Sequence, residues 1–269
     1  MQKVFIYNIH GFEMIFITGD VHSKNMGGWE QEKMGSEVKA SIKYLDILKK
    51  NKLKSTLFIN GICLDQEKQD IDELLKYDAE LGGHTYNNFD GLDIFRGFIY
   101  RKIWKCIYGP KYYQKKDIKK TKQAFNRVGL KMTSWRTHAF GSNDYTFEVL
   151  KQSGVTHVSD LLGEQIPFEK NGIIHMPLNI PVDQNTIAYG FFAPENRDSF
   201  ASCTKGRISP EEWFDILKKR VEKNEKEKKD SIILIHPATM AALDNFALFE
   251  KVAKFLSKYK SEKISNFNP

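Results

Sequence analysis

The sequence predicts a single, mostly parallel α/β domain. Short uncharged apolar runs, which read as buried strands, alternate with longer segments of helical period. The 269 residues hold no internal repeat and no linker-like stretch, so one large domain is preferred to two small ones. Polar residues suited to chemistry recur where the strand-like runs end.

The elements follow in order. Residues 14–18 (MIFIT) form the first strand, stopped by Gly19-Asp20. Residues 36–48 carry Val38, Ile42, Leu45 and Leu48 at helical spacing, with Ser36 as N-cap. Residues 55–60 (STLFIN) are a second strand, ended by Gly61. Residues 70–81 read as a helix running into Gly82-Gly83 and His84. An aromatic-rich helix is expected over 92–108, a basic helix over 117–128 and a strand over 130–135 leading to Arg136. Residues 145–153 form a helix ended by Gly154, and 155–159 a strand ending at Asp160. A strand over 173–176 precedes a proline-bounded stretch. Residues 210–226 form a helix with proline in its first turn. The pattern closes with a strand over 231–235, ended by His236-Pro237, and a helix over 246–259. Residues 1–13 precede all of this and read as an N-terminal extension to a domain at 14–269.

Composition excludes several classes. With 41% hydrophobic and 28% charged residues the chain is globular rather than disordered. No apolar run approaches the ~18 residues that span a bilayer. The first sixteen residues lack the pattern of a secretory signal. Cys63, Cys106 and Cys203 are widely spaced, which supports neither a disulfide framework nor a cysteine zinc site. A reducing, cytoplasmic setting is therefore expected.

The net charge of +7 is local. Residues 101–131 hold eleven Lys or Arg against the single acid Asp117, a charge of +10 that leaves −3 for the rest. Trp104, Tyr108, Tyr112 and Tyr113 are interleaved with these cations. Two readings stay open: a solvated helical face, or a landing surface for lipid headgroups or a phosphate-bearing substrate, with peripheral membrane contact. No nucleic-acid module is recognisable, so nucleic acid is not the expected partner.

Asp20, His22, Asn60, His84, Arg136, Asp160 and His236 all stand just after or at the end of a strand or turn. In a parallel barrel the strand C-termini share one face, so these residues could converge. His84 and Asn88, four apart, would share one face of a helical turn. Together with Asp20 and His22 they make a nitrogen and oxygen donor set suited to Zn²⁺ or a similar divalent ion. Such an ion acidifies water and polarises a carbonyl. Each residue also has a structural reading: Asp20 as a loop cap, Asn88 as a turn residue, Asp160 as a helix cap, Arg136 as a salt-bridge partner and His236 as a satisfied core histidine. His10, His157 and His175 have no motif around them and read as structural.

These motifs, in this order, resemble the polysaccharide deacetylases, the NodB-type, family 4-like carbohydrate esterases. The stretch Phe16-Ile17-Thr18-Gly19-Asp20-Val21-His22 is similar to the family's strand ending in paired or spaced aspartates. His84-Thr85-Tyr86-Asn87-Asn88 resembles its His-Ser/Thr-x-x-His motif, and Trp135–Gly141 its Arg-x-Pro groove motif. Leu234-Ile235-His236-Pro237 resembles its closing Leu-x-His motif. The resemblance implies a distorted (β/α)7-8 barrel and a metal-dependent hydrolase that removes acyl groups, N-acetyl above all, from an amino sugar. It implies Asp20 as base, oriented by Arg136, and His236 as acid, paired with Asp160. His22 and His84, with Asn88 or a water, would hold the metal, zinc by expectation. Asn60 and His138 would line the substrate groove, His138 standing where the family has proline. Asn88 replaces the second metal histidine, and His22 stands where a metal aspartate is usual. A cytoplasmic member of this kind would act on a nucleotide- or lipid-linked precursor of a surface glycan. The alternatives are a catalytically impaired glycan-binding or regulatory member of the same fold, and removal of a different acyl group such as formyl.

Overall fold

The computed structural model describes residues 4–6, 13–23, 29–91, 94–163, 165–189 and 206–268. Among these, ten strands make one curled sheet: β1 (Val4–Ile6), β2 (Met14–Val21), β3 (Ser55–Ile59), β4 (Glu80–Gly83), β5 (Ser134–Trp135), β6 (His157–Val158), β7 (Phe168–Lys170), β8 (Ile173–His175), β9 (Ser231–Leu234) and β10 (Lys260–Ser261). Seven of them run parallel in the spatial order β9-β2-β3-β4-β5-β6-β8, and the short β10 adds parallel to the start of β2. β7 adds antiparallel to β8, and β1 to β7, so residues 4–6 of the expected extension join the sheet. Between β8 and β9 the ladder gives way to an irregular stretch. There the Asn179 amide donates to the Ile232 carbonyl at 3.2 Å, and Asn179 Oδ1 accepts from the Ile232 amide at 3.0 Å. The result is the expected distorted barrel, a mixed sheet whose wall is mostly parallel.

β2, β3 and β9 are buried on both faces, as parallel strands covered by helices must be. The two-residue side-chain period separates two cores. Phe16, Phe58, Ile232 and Leu234 point inward with Met176, Leu178, Val182 and Ile264. Ile15, Ile17, Leu57, Ile59 and Ile233 point outward beneath the helices. The helix Glu37–Lys50 covers this outer layer, and Tyr44 stacks on Phe249 of the helix Ala247–Leu256. Ser36 caps the first of these helices through the Lys39 amide, as its sequence position predicts.

Register then decides what meets what. Thr18 pairs with Leu234, so two residues on Asp20 lies level with His236. Ile59 pairs with Gly83 and Gly83 with Trp135, which puts Asn60, His84 and Arg136 at one level. The ladder continues through these positions: the His84 amide donates to Ile59, the Arg136 amide to Gly83 and the Ser159 amide to Trp135. All of these residues share the inward parity of Phe16 and Phe58. Polar groups can stand at this level because it is the rim, above the apolar floor.

The largest departure from the sequence reading lies at residues 75–83. The expected helix ends early, as Lys68–Leu74, and Glu80-Leu81-Gly82-Gly83 is strand β4. A segment with two glycines and no β-branched residue carries no strand signal of its own. Its place is set by neighbours: Glu80 Oε2 accepts from Thr56 Oγ1 at 2.8 Å. A Cβ on Gly82 would lie 2.7 Å from the Phe58 ring, and one on Gly83 would lie 2.5 Å from the Trp135 ring. The expected strands over 130–135 and 155–159 shrink to two residues each, and the aromatic helix spans Ile94–Trp104. The basic helix begins earlier, as Lys111–Arg127. His10 and Cys203 lie outside the described residues.

Because the Gly82 site is walled by the Phe58 ring, Gly82→Ala is expected to overpack the barrel interior and cost ~1–3 kcal/mol. Urea denaturation should show a lower midpoint at unchanged slope; a midpoint equal to wild type would mean that the wall yields.

Candidate functional site

Asp20 is the second-last residue of β2 and is 5% exposed. Its Oδ1 accepts from Arg136 Nη1 at 2.8 Å, while Oδ2 lies 3.9 Å from both His84 Nε2 and His236 Nε2. Burial would raise this carboxyl, but the Arg136 guanidinium, with the three histidines around it, outweighs burial and holds it well below the usual carboxylate range. Asp20 is therefore ionised at any ordinary pH.

Arg136 follows β5 and is fully buried. Besides Asp20 it donates from Nε to the Ser159 carbonyl (2.9 Å) and from Nη2 to Thr18 Oγ1 (2.9 Å) and Ser159 Oγ (2.7 Å). Its guanidinium lies over the Phe58 ring at 4.4 Å. A buried cation survives only when its donors are used in this way.

Three imidazoles converge beside this pair. His22 Nε2 and His84 Nε2 are 3.2 Å apart, and His138 Nδ1 is 3.4 Å from His84 Nε2. One ring nitrogen from each of His22, His84 and His138 lies within 4.8 Å of the others. The remaining nitrogens of two rings are committed. His84 Nδ1 donates to the Arg136 carbonyl at 2.8 Å, and His22 Nδ1 donates to Glu37 Oε2 at 3.0 Å. In the neutral tautomers those bonds fix, the Nε2 atoms of His22 and His84 present lone pairs to each other. Two lone pairs at hydrogen-bond distance repel unless a proton or a cation lies between them.

The electrostatics favour the cation at His84 and His138. Burial, with the nearby cationic groups, pushes His84 down to about 3, despite Asp20. Burial, with His22 and His84, pushes His138 well below the usual histidine value. Only His22 is raised: burial opposes its charge, and Glu37 outweighs burial. Zinc–nitrogen bonds of ~2.0–2.1 Å in tetrahedral geometry place ligand nitrogens roughly 3.3 Å apart. The observed 3.2 and 3.4 Å separations fit that value. Glu37 behind His22 and the Arg136 carbonyl behind His84 are the orienting acceptors that metal-bound imidazoles require. The donor set fits a divalent ion.

His236 follows β9 and is 5% exposed. Its Nδ1 donates to Asp183 Oδ1 at 2.7 Å, and its amide donates to Asp183 Oδ2 at 2.8 Å. Burial would lower the imidazole, but Asp183 outweighs burial and raises it to about 9. His236 is thus charged at neutral pH, with Nε2 aimed toward Asp20. A groove of about 300 Å³ opens over Asp20, His22, His84, His138 and His236, walled on its far side by Val182, Gln184 and Tyr189.

The fold brings together Asp20, His22, His84, Arg136, His138 and His236. Asn88 Oδ1 accepts from Asn60 Nδ2 at 2.9 Å, and the chain from Thr85 to Asp90 repeatedly takes left-handed φ values, +60° at Thr85 and +42° at Asn88. The helical turn that the four-residue spacing presumed is not formed there, and the third imidazole beside His22 and His84 is that of His138, which follows β5. His138, expected as a wall residue, is part of the donor cluster. Asp160, expected beside His236, instead accepts from the Thr137 amide (2.6 Å) and Thr137 Oγ1 (2.7 Å). It clamps the segment that carries Arg136 and His138; Asp183 takes the place beside His236. Asn60, expected to line the groove, is fully buried, accepting from the Ser23 amide and donating to Asn88 Oδ1 and the His84 carbonyl. Its side chain joins three strand exits and does not face the groove.

Glu37 and Asp183 had no motif to mark them. Glu37 directly follows the Ser36 cap and reads as an ordinary first-turn acid. Asp183 stands at the N-terminus of a short π-helical segment, Gln184–Ala188, for which the sequence reading had no element.

The family model for polysaccharide deacetylases matches residues 28–158. No curated protein sequence matches the chain. Solved structures with the same fold include a Mycobacterium smegmatis protein assigned as a polysaccharide deacetylase, at 15% identity and a TM-score of 0.68 over 95% of this chain and 88% of that one. A Pseudomonas aeruginosa PAO1 protein with the same assignment aligns at 12% identity and a TM-score of 0.61 over 91% and 86%. A CE4 esterase of Streptococcus mutans aligns at 14% identity and a TM-score of 0.57 over 93% and 85%. Among the described residues no helix is long and apolar enough to cross a membrane. The barrel, the strand-end motifs and the matched span agree: the chain has the fold of these structures and is similar to the polysaccharide deacetylases over residues 28–158.

Proposed function

We propose that the protein is a metal-dependent hydrolase that removes an N-acetyl or similar small acyl group from an amino sugar of a surface glycan or its precursor, working in a reducing, cytoplasmic compartment. The observation that carries this is the meeting, in one groove, of three imidazole nitrogens with an ionised carboxylate and a charged imidazole. The buried free thiol of Cys63 supports the reducing setting.

A divalent ion held by His22, His84 and His138, zinc by its fit to an all-nitrogen set, would polarise the acyl carbonyl and acidify water enough for a carboxylate as acidic as Asp20 to serve as base. Asp20 accepts the proton of the attacking water through Oδ2, because Oδ1 is held by Arg136. Arg136 keeps that carboxylate ionised and fixed in direction. His236 carries a proton on Nε2 and delivers it to the nitrogen of the leaving amine. Asp183 holds the ring so that this proton points into the groove. The 3.9 Å between Asp20 Oδ2 and His236 Nε2 puts base and acid side by side, where both can reach one tetrahedral centre. Tyr189 and Gln184 line the same groove and would contact a sugar ring bound there.

Metal analysis of the purified chain should find one zinc per molecule. His138→Ala should abolish stoichiometric binding, and Glu37→Gln should weaken it ~10–100-fold by freeing the His22 ring. Asn88→Ala should leave zinc affinity unchanged; a loss there equal to that of His138→Ala would overturn the ligand set.

Acetate release from an N-acetylglucosamine oligomer should require the metal and fall ~10²–10⁴-fold in Asp20→Asn and in His236→Ala. Turnover that persists after chelation and in both variants would remove the mechanism. Glycan binding by a metal-free chain without acetate release would favour a binding module instead.

The acid must be protonated, so activity should fall as pH rises through about 9. Asp183→Asn removes the carboxylate that raises His236, so this alkaline limb should move toward neutrality. A limb that stays in place would assign it to another group.

A further inference from the structure

The helix Ile94–Trp104 presents its apolar side outward. Phe95 is 71% exposed, Phe98 63% and Ile103 61%, while Gly97, half a turn from Phe95, is buried. A soluble helix shows the reverse pattern, with apolar residues facing its own core. Lone exposed apolar residues need no explanation, but three large ones on one side of a helix do.

Cations border this side and stand within it, Lys102 lying four residues beyond Phe98 on the same face. Arg101, Lys102 and Lys105 are exposed on the same helix and at its end. The following helix, Lys111–Arg127, exposes Lys115, Lys116 and Lys119. The one acid of residues 101–131, Asp117, is turned inward. It is 5% exposed and accepts from Tyr108 Oη at 2.6 Å and from the Tyr86 amide at 3.1 Å. This stretch therefore shows cations and aromatics to its surroundings and hides its only carboxylate.

The helix is also tethered beside the groove. Phe89, before it, lies with its ring 5.5 Å from that of His138. Cys106, after it, donates from Sγ to the Gly141 carbonyl at 2.8 Å, three residues beyond His138. Both ends of the projecting segment thus rest on the wall that carries a proposed ligand.

We propose that Ile94–Trp104 is an interfacial anchor, which lays Phe95, Phe98 and Ile103 into the surface of an anionic bilayer while the surrounding Lys and Arg engage lipid phosphates. Charge complementarity selects the occupant. A second copy of the chain would set cations against cations, and a zwitterionic surface would leave them without partners. A soluble polyanion would satisfy the cations and leave the phenyl rings in water. Docking in this way holds the groove rim close to the headgroup level, whatever chemistry the groove performs.

The test is co-sedimentation of the full chain with extruded vesicles, of phosphatidylcholine alone or with roughly 30% phosphatidylglycerol, at low and high salt. Partition onto the anionic vesicles should exceed that onto the neutral ones by about tenfold and should weaken with salt. Brominated lipid should quench Trp104 fluorescence, a signal lost in Trp104→Phe. The variant F95S/F98S/I103S, whose changes are all on exposed positions, should fold as wild type by circular dichroism and lose about tenfold in partition. His84→Ala should bind vesicles like wild type, which separates this proposal from the hydrolase reading. Absence of partition onto anionic vesicles overturns the proposal. So does wild-type partition by the triple variant, which would mean adsorption by charge alone. A salt-resistant dimer that the triple variant dissociates, without vesicle binding, would assign the face to a second copy and overturn it equally.

Discussion

The buried guanidinium of Arg136 is the contact from which the site hangs. It joins β2 through Thr18 and Asp20 to the end of β6 through Ser159, and rests on Phe58 of β3. Its own carbonyl accepts from His84 Nδ1, which turns the other nitrogen of that ring toward His22 and His138. One residue thereby sets both the ionisation of the carboxylate and the tautomer of an imidazole. Breaking a buried pair of this kind by deleting one partner costs about 3–5 kcal/mol. Fold and site are therefore coupled at this point, and neither can drift without the other.

Around Arg136 the titratable groups are driven apart. Asp20 is held ionised although buried, because the nearby cation outweighs the cost of desolvation. His236 is held charged by Asp183, while His84 and His138 are held neutral by burial among other cationic groups. Divergent environments for chemically similar side chains separate donor, acceptor and ligand within one groove. Each imidazole with an assigned direction owes it to a specific acceptor: Glu37 for His22, the Arg136 carbonyl for His84 and Asp183 for His236. The Asp160 carboxylate works one step further out, on the backbone of Thr137, and holds the segment that delivers Arg136 and His138.

Much of this was legible beforehand where information is local. The MIFIT and SIILI runs predicted two barrel strands, the Ser36 cap predicted a helix start and residues 210–226 predicted a helix bounded as Pro210–Lys226. Asp20, His84, Arg136 and His236 stood out because each follows a recognisable strand or a Gly-Gly pair. The errors fell where local signals mislead. β4 was hidden because its glycines serve the Phe58 and Trp135 rings, which are remote in sequence. Asn88 looked like a helical partner of His84 because spacing cannot reveal left-handed backbone.

Residue order alone was enough to establish that strands alternate with helices, that their ends carry carboxylate, guanidinium and imidazole groups, and that positive charge gathers in one stretch. It could not establish which of those groups face one another. Parallel register levels Asp20 with His236 and His84 with Arg136, and inward parity turns them into one cavity. The acids that orient the histidines, Glu37 and Asp183, come from the starts of an α-helix and of a short π-helical segment. The chain reaches those places only after the barrel has curled, so their partnership is a product of packing across 15 and 53 residues of separation rather than of any spacing along the chain.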